Sequence, residues 1–296
     1  MIRGAERRTI ALVHGLAPGW FALAALLGAA GLTAAYLLWR RLRARRRERR
    51  RPPRLRHPLV LAHGFLGFDE VALGGVRREY FRGLGARLSD HAEAVHRPRL
   101  AATGSVAARA ADLARCIRDL PDRRVNVIAH SMGGLDARYA VTRLGLGSKV
   151  ASLTTIGTPH LGTPLADLGD GVLGRLGLRR ALQRLGIGLE GLRDLTTAGM
   201  AEFNRVTPDV AGVAYASVVG VVHQKRRTHP LLVPGLLYLR RKAGENDGLV
   251  PAASQRWGEV LWEIEADHWA QIGWSKHFDA AAFYERLLLE LRGRGF

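Results

Sequence analysis

The chain has 296 residues, 47% of them hydrophobic, which is enough for one large buried core or two small ones. Its formal charge of +19 does not mark a nucleic-acid binder, because residues 1–56 hold fourteen Arg and two Glu, a net +12, and residues 57–296 carry only the remaining +7. A single cysteine, Cys116, excludes an internal disulfide and reads as a buried structural thiol on an amphipathic helix.

Taken in chain order, residues 1–15 form a short tail. Residues 16–39, LAPGWFALAALLGAAGLTAAYLLW, contain no charge. As a helix they would span roughly 36 Å, which crosses a hydrocarbon core with some tilt. Trp20 and Trp39 stand near the two ends, where amphipathic rings favour the interface. A cleaved export signal would have a shorter apolar run and a small-residue cleavage site. The reading is therefore an uncleaved transmembrane helix. Residues 40–57 follow as an Arg-rich juxtamembrane linker, which the positive-inside rule places in the cytoplasm. Its cations would also attract anionic headgroups. The expected location is a single-pass membrane protein with a cytoplasmic domain over 58–296.

Within 58–296, short apolar runs alternate with helical segments. Strands are expected at 58–64, 93–100, 125–131, 149–159, 212–222 and 259–266. Helices are expected at 77–88, 106–120, 132–145 and 276–292. This rhythm implies βαβ units, a mostly parallel central sheet and helices on both its faces. Leu-rich pieces divided by Gly interrupt it over 160–205 and suggest a helical insertion.

One strand ends in AHSMGG, and a helix follows at once. A strand, a tight turn bearing Ser131 and a helix make a nucleophile-elbow pattern. Small residues two places either side, Ala129 and Gly133, allow the strand and helix to cross closely. An N-cap serine opening helix 132–145 would use the same residues. A serine nucleophile needs a base, an orienting acid and oxyanion donors. Asp247, in the turn GENDGLVP, and His268, in EIEADHWAQIGW beyond the last strand, follow Ser131 in the order of such hydrolases. His277 is the rival base. The donors would be the backbone N–H of Met132 and, from the loop HGFLG after the first strand, that of Phe65. His63, Leu66, His130, His160 and Leu161 are expected to shape the substrate pocket, with His130 pointing away from the Ser131 hydroxyl.

With these pieces in order, the chain resembles the bacterial triacylglycerol lipases of the α/β-hydrolase superfamily. The resemblance rests on LVLAHGFLGFD, VNVIAHSMGGLDARYA, SLTTIGTPHLGTPLAD, DLTTAGMAEFN, NDGLVP and DHWAQI, and covers roughly residues 58–290. It implies an α/β-hydrolase fold, a Ser131–Asp247–His268 triad and a helical lid over about 162–190. The sequence departs from the secreted members in having one cysteine and an anchor in place of an export signal. It has Ala270 where they carry a calcium-binding carboxylate, and 210–246 contains only Glu245 as an acid. No metal or other cofactor is expected. The expected activity is hydrolysis of lipid acyl esters. A short-chain carboxylesterase, an acyltransferase using the same triad, or a non-catalytic membrane scaffold of this fold are the alternatives.

Overall fold

The computed structural model describes residues 54–65, 70–73, 76–175 and 190–296, together with 33, 36–41 and 43. The chain divides into two compact units, Met1–Pro52 and Pro53–Phe296. In the first, residues 36–41 are helical. The tail 1–15, nearly all of the expected span 16–39 and most of the Arg-rich segment lie outside the described residues. Among the described residues no helix is long and apolar enough to cross a membrane.

The second unit begins at Pro53 rather than at residue 58, because two residues of the expected linker pack into it. Leu55 is buried and donates its N–H to His91 O at 2.8 Å. Arg56 N donates to Phe296 O at 3.0 Å.

The centre of this unit is a six-stranded sheet of order β4-β1-β5-β6-β7-β8. Its strands are β1 (Leu59–Ala62), β4 (Val95–His96), β5 (Val125–His130), β6 (Val150–Ile156), β7 (Ala214–Val221) and β8 (Glu259–Glu265), and every pair is parallel. Side chains alternate between its faces. Leu59, Leu61 and Ile128 join one apolar cluster, with Leu88 of helix Gly85–His91, Leu84 just before that helix, and Phe283, Tyr284 and Leu287 of helix Ala280–Gly293. Val60, Ala62, Val127 and Ala129 join the other, with Leu113 and Ile117 of helix Val106–Asp119 and Ala137 and Val141 of helix Met132–Arg143. Strands β1 and β5 are wholly buried, which explains why they read as continuous apolar runs.

The expected helix over 77–88 is corrected. Two short strands, β2 (Glu70–Leu73) and β3 (Val76–Glu79), form an antiparallel hairpin there, and helix Gly85–His91 starts only after it. Gly74-Gly75 between VAL and VRR is a hairpin signal that outweighs the helical spacing of the apolar residues. His277 also differs from expectation. It precedes the final helix and donates its N–H to Ser275 Oγ at 3.1 Å. The insertion after β6 is helical over Pro164–Arg175, Glu190–Asp194 and Thr197–Val206. Residues 176–189 of the expected lid lie outside the described residues.

The chain runs from β1 outward to β4, then returns across β1 to β5. That reversal opens a crevice at the carboxyl ends of β1 and β5. Ala62 and Ala129 are paired in register, so Gly64 and Ser131 each lie two residues beyond the pair.

Candidate active site

Ser131 sits between β5 and helix Met132–Arg143 with φ 56° and ψ −133°. It is the only non-glycine residue at positive φ among the described residues. Such a conformation costs an L-residue on the order of 1–3 kcal/mol. Its surroundings hold it there: Ser131 N donates to Ile156 O at 2.9 Å, and Ser131 O accepts Thr158 Oγ1 at 2.8 Å and Gly134 N at 3.1 Å. The Ser131 side chain makes no capping hydrogen bond, so the elbow geometry displaces the N-cap reading.

Two glycines make the corner possible. A Cβ on Gly133 would lie 2.6 Å from Ala62 O and 2.7 Å from His63 O, so the helix meets β1 at this residue. A Cβ on Gly64 would lie 2.7 Å from Ser131 Cβ and 3.1 Å from Ser131 Oγ. Any side chain at position 64 would therefore displace the hydroxyl. Ala129, where small size also mattered, is fully buried against Ala62 and Thr155.

Asp247 is completely buried, with every lone-pair direction used. Its Oδ1 accepts Leu249 N at 3.0 Å and Val250 N at 2.8 Å. Its Oδ2 accepts His268 Nδ1 at 2.7 Å and Gln271 Nε2 at 3.0 Å. The backbone adds a second tie, His268 N to Asp247 O at 2.9 Å. With Nδ1–H given to the carboxylate, Nε2 of His268 is the basic nitrogen that can face a substrate. Asp267, the preceding residue, holds the same loop: its Oδ1 accepts Trp269 N and Ala270 N, and its Oδ2 accepts His229 N. No group of His, Cys, Asp and Glu able to hold a metal ion occurs among the described residues.

Ser131 and His268 line one cavity of about 600 Å³. Its walls are otherwise mostly apolar: Phe65, Leu165, Ala166, Leu192, Leu195, Leu249, Val250, Trp269, Ile272 and Trp274. Leu165 and Ala166 come from helix Pro164–Arg175, and Leu192 from helix Glu190–Asp194. Met132 follows Ser131 in the chain and Phe65 lines the same cavity, and no hydrogen bond from either backbone N–H is seen among the described residues.

The pocket assignments made from sequence need correction. None of His63, His130, His160 and Leu161 lines this cavity, and Leu66 lies outside the described residues. Leu161 is half exposed. His63 is buried behind the oxyanion loop, between Gly64 O and Leu100 N. His130 is buried with its ring centroid 4.5 Å from that of His268 and its ring nitrogens on Tyr80 and Gln271. His160 is stacked 5.3 Å from Trp257, with Thr155 Oγ1 on Nε2 and Arg138 Nη1 on Nδ1. Burial, and then the Arg138 charge, hold it well below the ordinary histidine range. Each of these histidines follows a strand or precedes the nucleophile, but its side chain leaves on the side away from the cavity.

Other residues went unread in the sequence. Arg109 and Asp136 form a wholly buried ion pair at 2.8 Å. Arg109 Nη2 also donates to His63 O at 2.6 Å and Nη1 to Ala101 O at 2.6 Å. A guanidinium from helix Val106–Asp119 thus fixes the backbone just before Gly64, the kind of planar multi-donor contact for which Arg is suited. Burial pushes Asp136 up to about 7, against the pull of Arg109. The only signal in the sequence was a charged residue on an otherwise apolar helix face.

The family described as "PGAP1-like alpha/beta domain" matches residues 105–173. "Triacylglycerol lipase" of Vibrio cholerae is 32% identical over 244 residues, 70% of this chain and 76% of that protein. "Triacylglycerol lipase 2" of Saccharomyces cerevisiae is 35% identical over 192 residues, 58% of each chain, so this chain spans less than two thirds of the yeast protein's length. Among solved structures, a metagenomic carboxyl esterase superposes with a TM-score of 0.68 at 21% identity, over 82% of this chain and 78% of that one.

Proposed function

Since the chain belongs to the triacylglycerol lipase family of carboxylic-ester hydrolases, we propose that it cleaves lipid acyl esters with Ser131 as nucleophile, His268 as base and Asp247 as orienting acid. One observation carries the reading. A strained serine and a histidine bound to a buried carboxylate share a single apolar cavity.

In the first step Ser131 Oγ attacks the acyl carbonyl while His268 Nε2 takes the hydroxyl proton. Asp247 keeps the Nδ1–H tautomer and stabilises the imidazolium that forms. The carbonyl oxygen becomes an oxyanion between the N–H groups of Phe65 and Met132, donors typically worth about 10²–10³ in rate each. The proton on His268 passes to the departing alcohol, leaving Ser131 acylated. Water, deprotonated by the same histidine, then releases the carboxylic acid.

Among the described residues the cavity wall holds no Asp, Glu, Lys or Arg, which favours an uncharged acyl chain over a charged one. Together with the Leu-rich insertion, this supports a medium or long acyl chain over a short one, with 162–190 as a lid. Residues 16–39 anchor the protein in a membrane and 40–52 lie against its cytoplasmic face, a proposal that rests on the sequence alone.

Two measurements test the assignment. A fluorophosphonate should label the protein on the peptide that contains Ser131, and emulsified long-chain esters should turn over faster than dissolved short-chain ones. Labelling elsewhere would remove the nucleophile assignment, and turnover of soluble short-chain esters alone would make the protein a carboxylesterase. A deletion of residues 1–52 should leave the membrane fraction yet keep its rate on a soluble ester. Cutting after residue 56 should instead destabilise the domain, since Leu55 alone contributes about 2 kcal/mol by burial. A 1–52 deletion that folds but is inactive would refute the division into anchor and enzyme.

A further inference from the structure

From Tyr80, a half-buried residue of the cavity wall, an unbroken chain of hydrogen bonds runs into the interior. Gly64 N donates to the Tyr80 hydroxyl oxygen at 3.1 Å. That hydroxyl lies 2.7 Å from His130 Nδ1. His130 Nε2 lies 3.2 Å from Gln271 Oε1, and Gln271 Nε2 donates to Asp247 Oδ2 at 3.0 Å. The same carboxylate oxygen accepts His268 Nδ1.

The carboxylate at one end settles the direction of every bond. A carboxylate only accepts here, so Gln271 turns its Nε2 toward Asp247 and its Oε1 toward His130. Oε1 is an acceptor, so the His130 ring proton is on Nε2 and Nδ1 is bare. The bare Nδ1 takes the Tyr80 proton, which leaves the Tyr80 oxygen to accept Gly64 N–H. Burial, and then the nearby His268, hold His130 well below the ordinary histidine range, so its ring stays neutral. Burial pushes the Tyr80 phenol up, which keeps its proton in place.

The chain has a task that the backbone does not perform. The oxyanion loop leaves β1 and the His268 loop leaves β8, and in the sheet these strands are separated by β5, β6 and β7. At a strand spacing of about 4.8 Å they lie roughly 19 Å apart. Among the described residues no main-chain hydrogen bond joins the two loops, yet one acyl carbonyl must meet donors from the first and a base from the second. Tyr80, His130 and Gln271 cross that gap from three different elements.

We propose that this relay sets the oxyanion loop and the acid–base pair in register with each other, with His130 as its central positioning residue. The inference rests on the assignment of Ser131, Asp247 and His268 as the triad. None of the three relay side chains is given a share of the bond chemistry. Their effect is on where Gly64, and with it Phe65 N–H, stands relative to His268.

A double-mutant cycle on the full chain tests it, with kcat on a soluble ester as the readout. Tyr80→Phe removes one oxygen, and Gln271→Met removes both amide groups at nearly constant length. Each should lower kcat about 30-fold or more, because displacements of the order of 1 Å at a reacting centre have effects of about 10²-fold. The double variant should be no more than about threefold worse than the poorer single one, since a relay broken once is already broken. Losses that multiply, or single variants within about threefold of the parent, would refute the relay. If Gln271→Met does not fold, His130→Phe replaces it in the cycle with the same expectation. Ser131→Ala separates the two levels of argument. Turnover that survives it removes the triad assignment, whereas multiplying losses on a Ser131-dependent activity remove only the relay.

Discussion

Ser131→Ala should lower kcat by about 10⁶-fold, the loss expected when one member of a cooperating triad is removed, and should abolish fluorophosphonate labelling. The site would otherwise remain, because Asp247 and His268 are held by their own hydrogen bonds. The same position makes a second, opposite prediction for stability. Ser131 has φ 56°, a conformation costing an L-residue about 1–3 kcal/mol. Glycine adopts it freely, at a cost of only about 0.4–1 kcal/mol through the more flexible unfolded chain. Ser131→Gly should therefore melt above Ser131→Ala although both are inactive. Thermal unfolding of the two variants side by side measures this. An alanine variant as stable as the glycine variant would mean that the elbow stores no more strain than the extra flexibility of glycine costs, about 0.4–1 kcal/mol.

Asp247→Asn should lower kcat by about 10⁴-fold, through the wrong tautomer at the base rather than through loss of the fold. Both carboxylate oxygens of Asp247 face N–H donors, Leu249 and Val250 on one side and His268 and Gln271 on the other. An asparagine must turn its NH₂ toward one of these pairs. Facing His268, it would require Nδ1 to give up its proton, which moves that proton to Nε2 and blocks the base. Facing Leu249 and Val250, it would leave buried donors opposed, at about 1–3 kcal/mol for each unsatisfied group. Activity and melting temperature together report which orientation is adopted. A loss of less than about tenfold in kcat would show that Asp247 does not orient the base.

The outcome at individual residues shows what a linear reading can reach. Ser131, Asp247 and His268 were legible because each belongs to a short motif with a strong local requirement: an elbow between strand and helix, an Asp-Gly turn, and a loop just past a strand. The sheet was legible because β1 and β5 are buried on both faces and have no polar alternation. The segment 77–88 was misread because apolar spacing there fits a helix, while Gly74-Gly75 and the packing of Tyr80 beside His130 favour a hairpin followed by a later helix. His130 adjoins Ser131 in sequence and His63 and His160 follow neighbouring strands, but none of the three lines the cavity. His160 packs against Trp257 and Arg138, contributed by a distant loop and a different helix.

Local order along the chain was therefore enough to read the fold class and to put forward a nucleophile and two partners for it, because turns, strand periodicity and helix starts depend on neighbours a few residues apart. The tertiary structure alone decided which side chains wall the cavity. It alone showed that Arg109 braces the oxyanion loop from another helix, and that Tyr80, His130 and Gln271 connect that loop to Asp247 across the sheet. Those contacts join residues up to 141 positions apart. They depend on the direction in which each side chain leaves its strand end once the sheet has formed, and that direction is set by packing across the whole domain rather than by any local pattern.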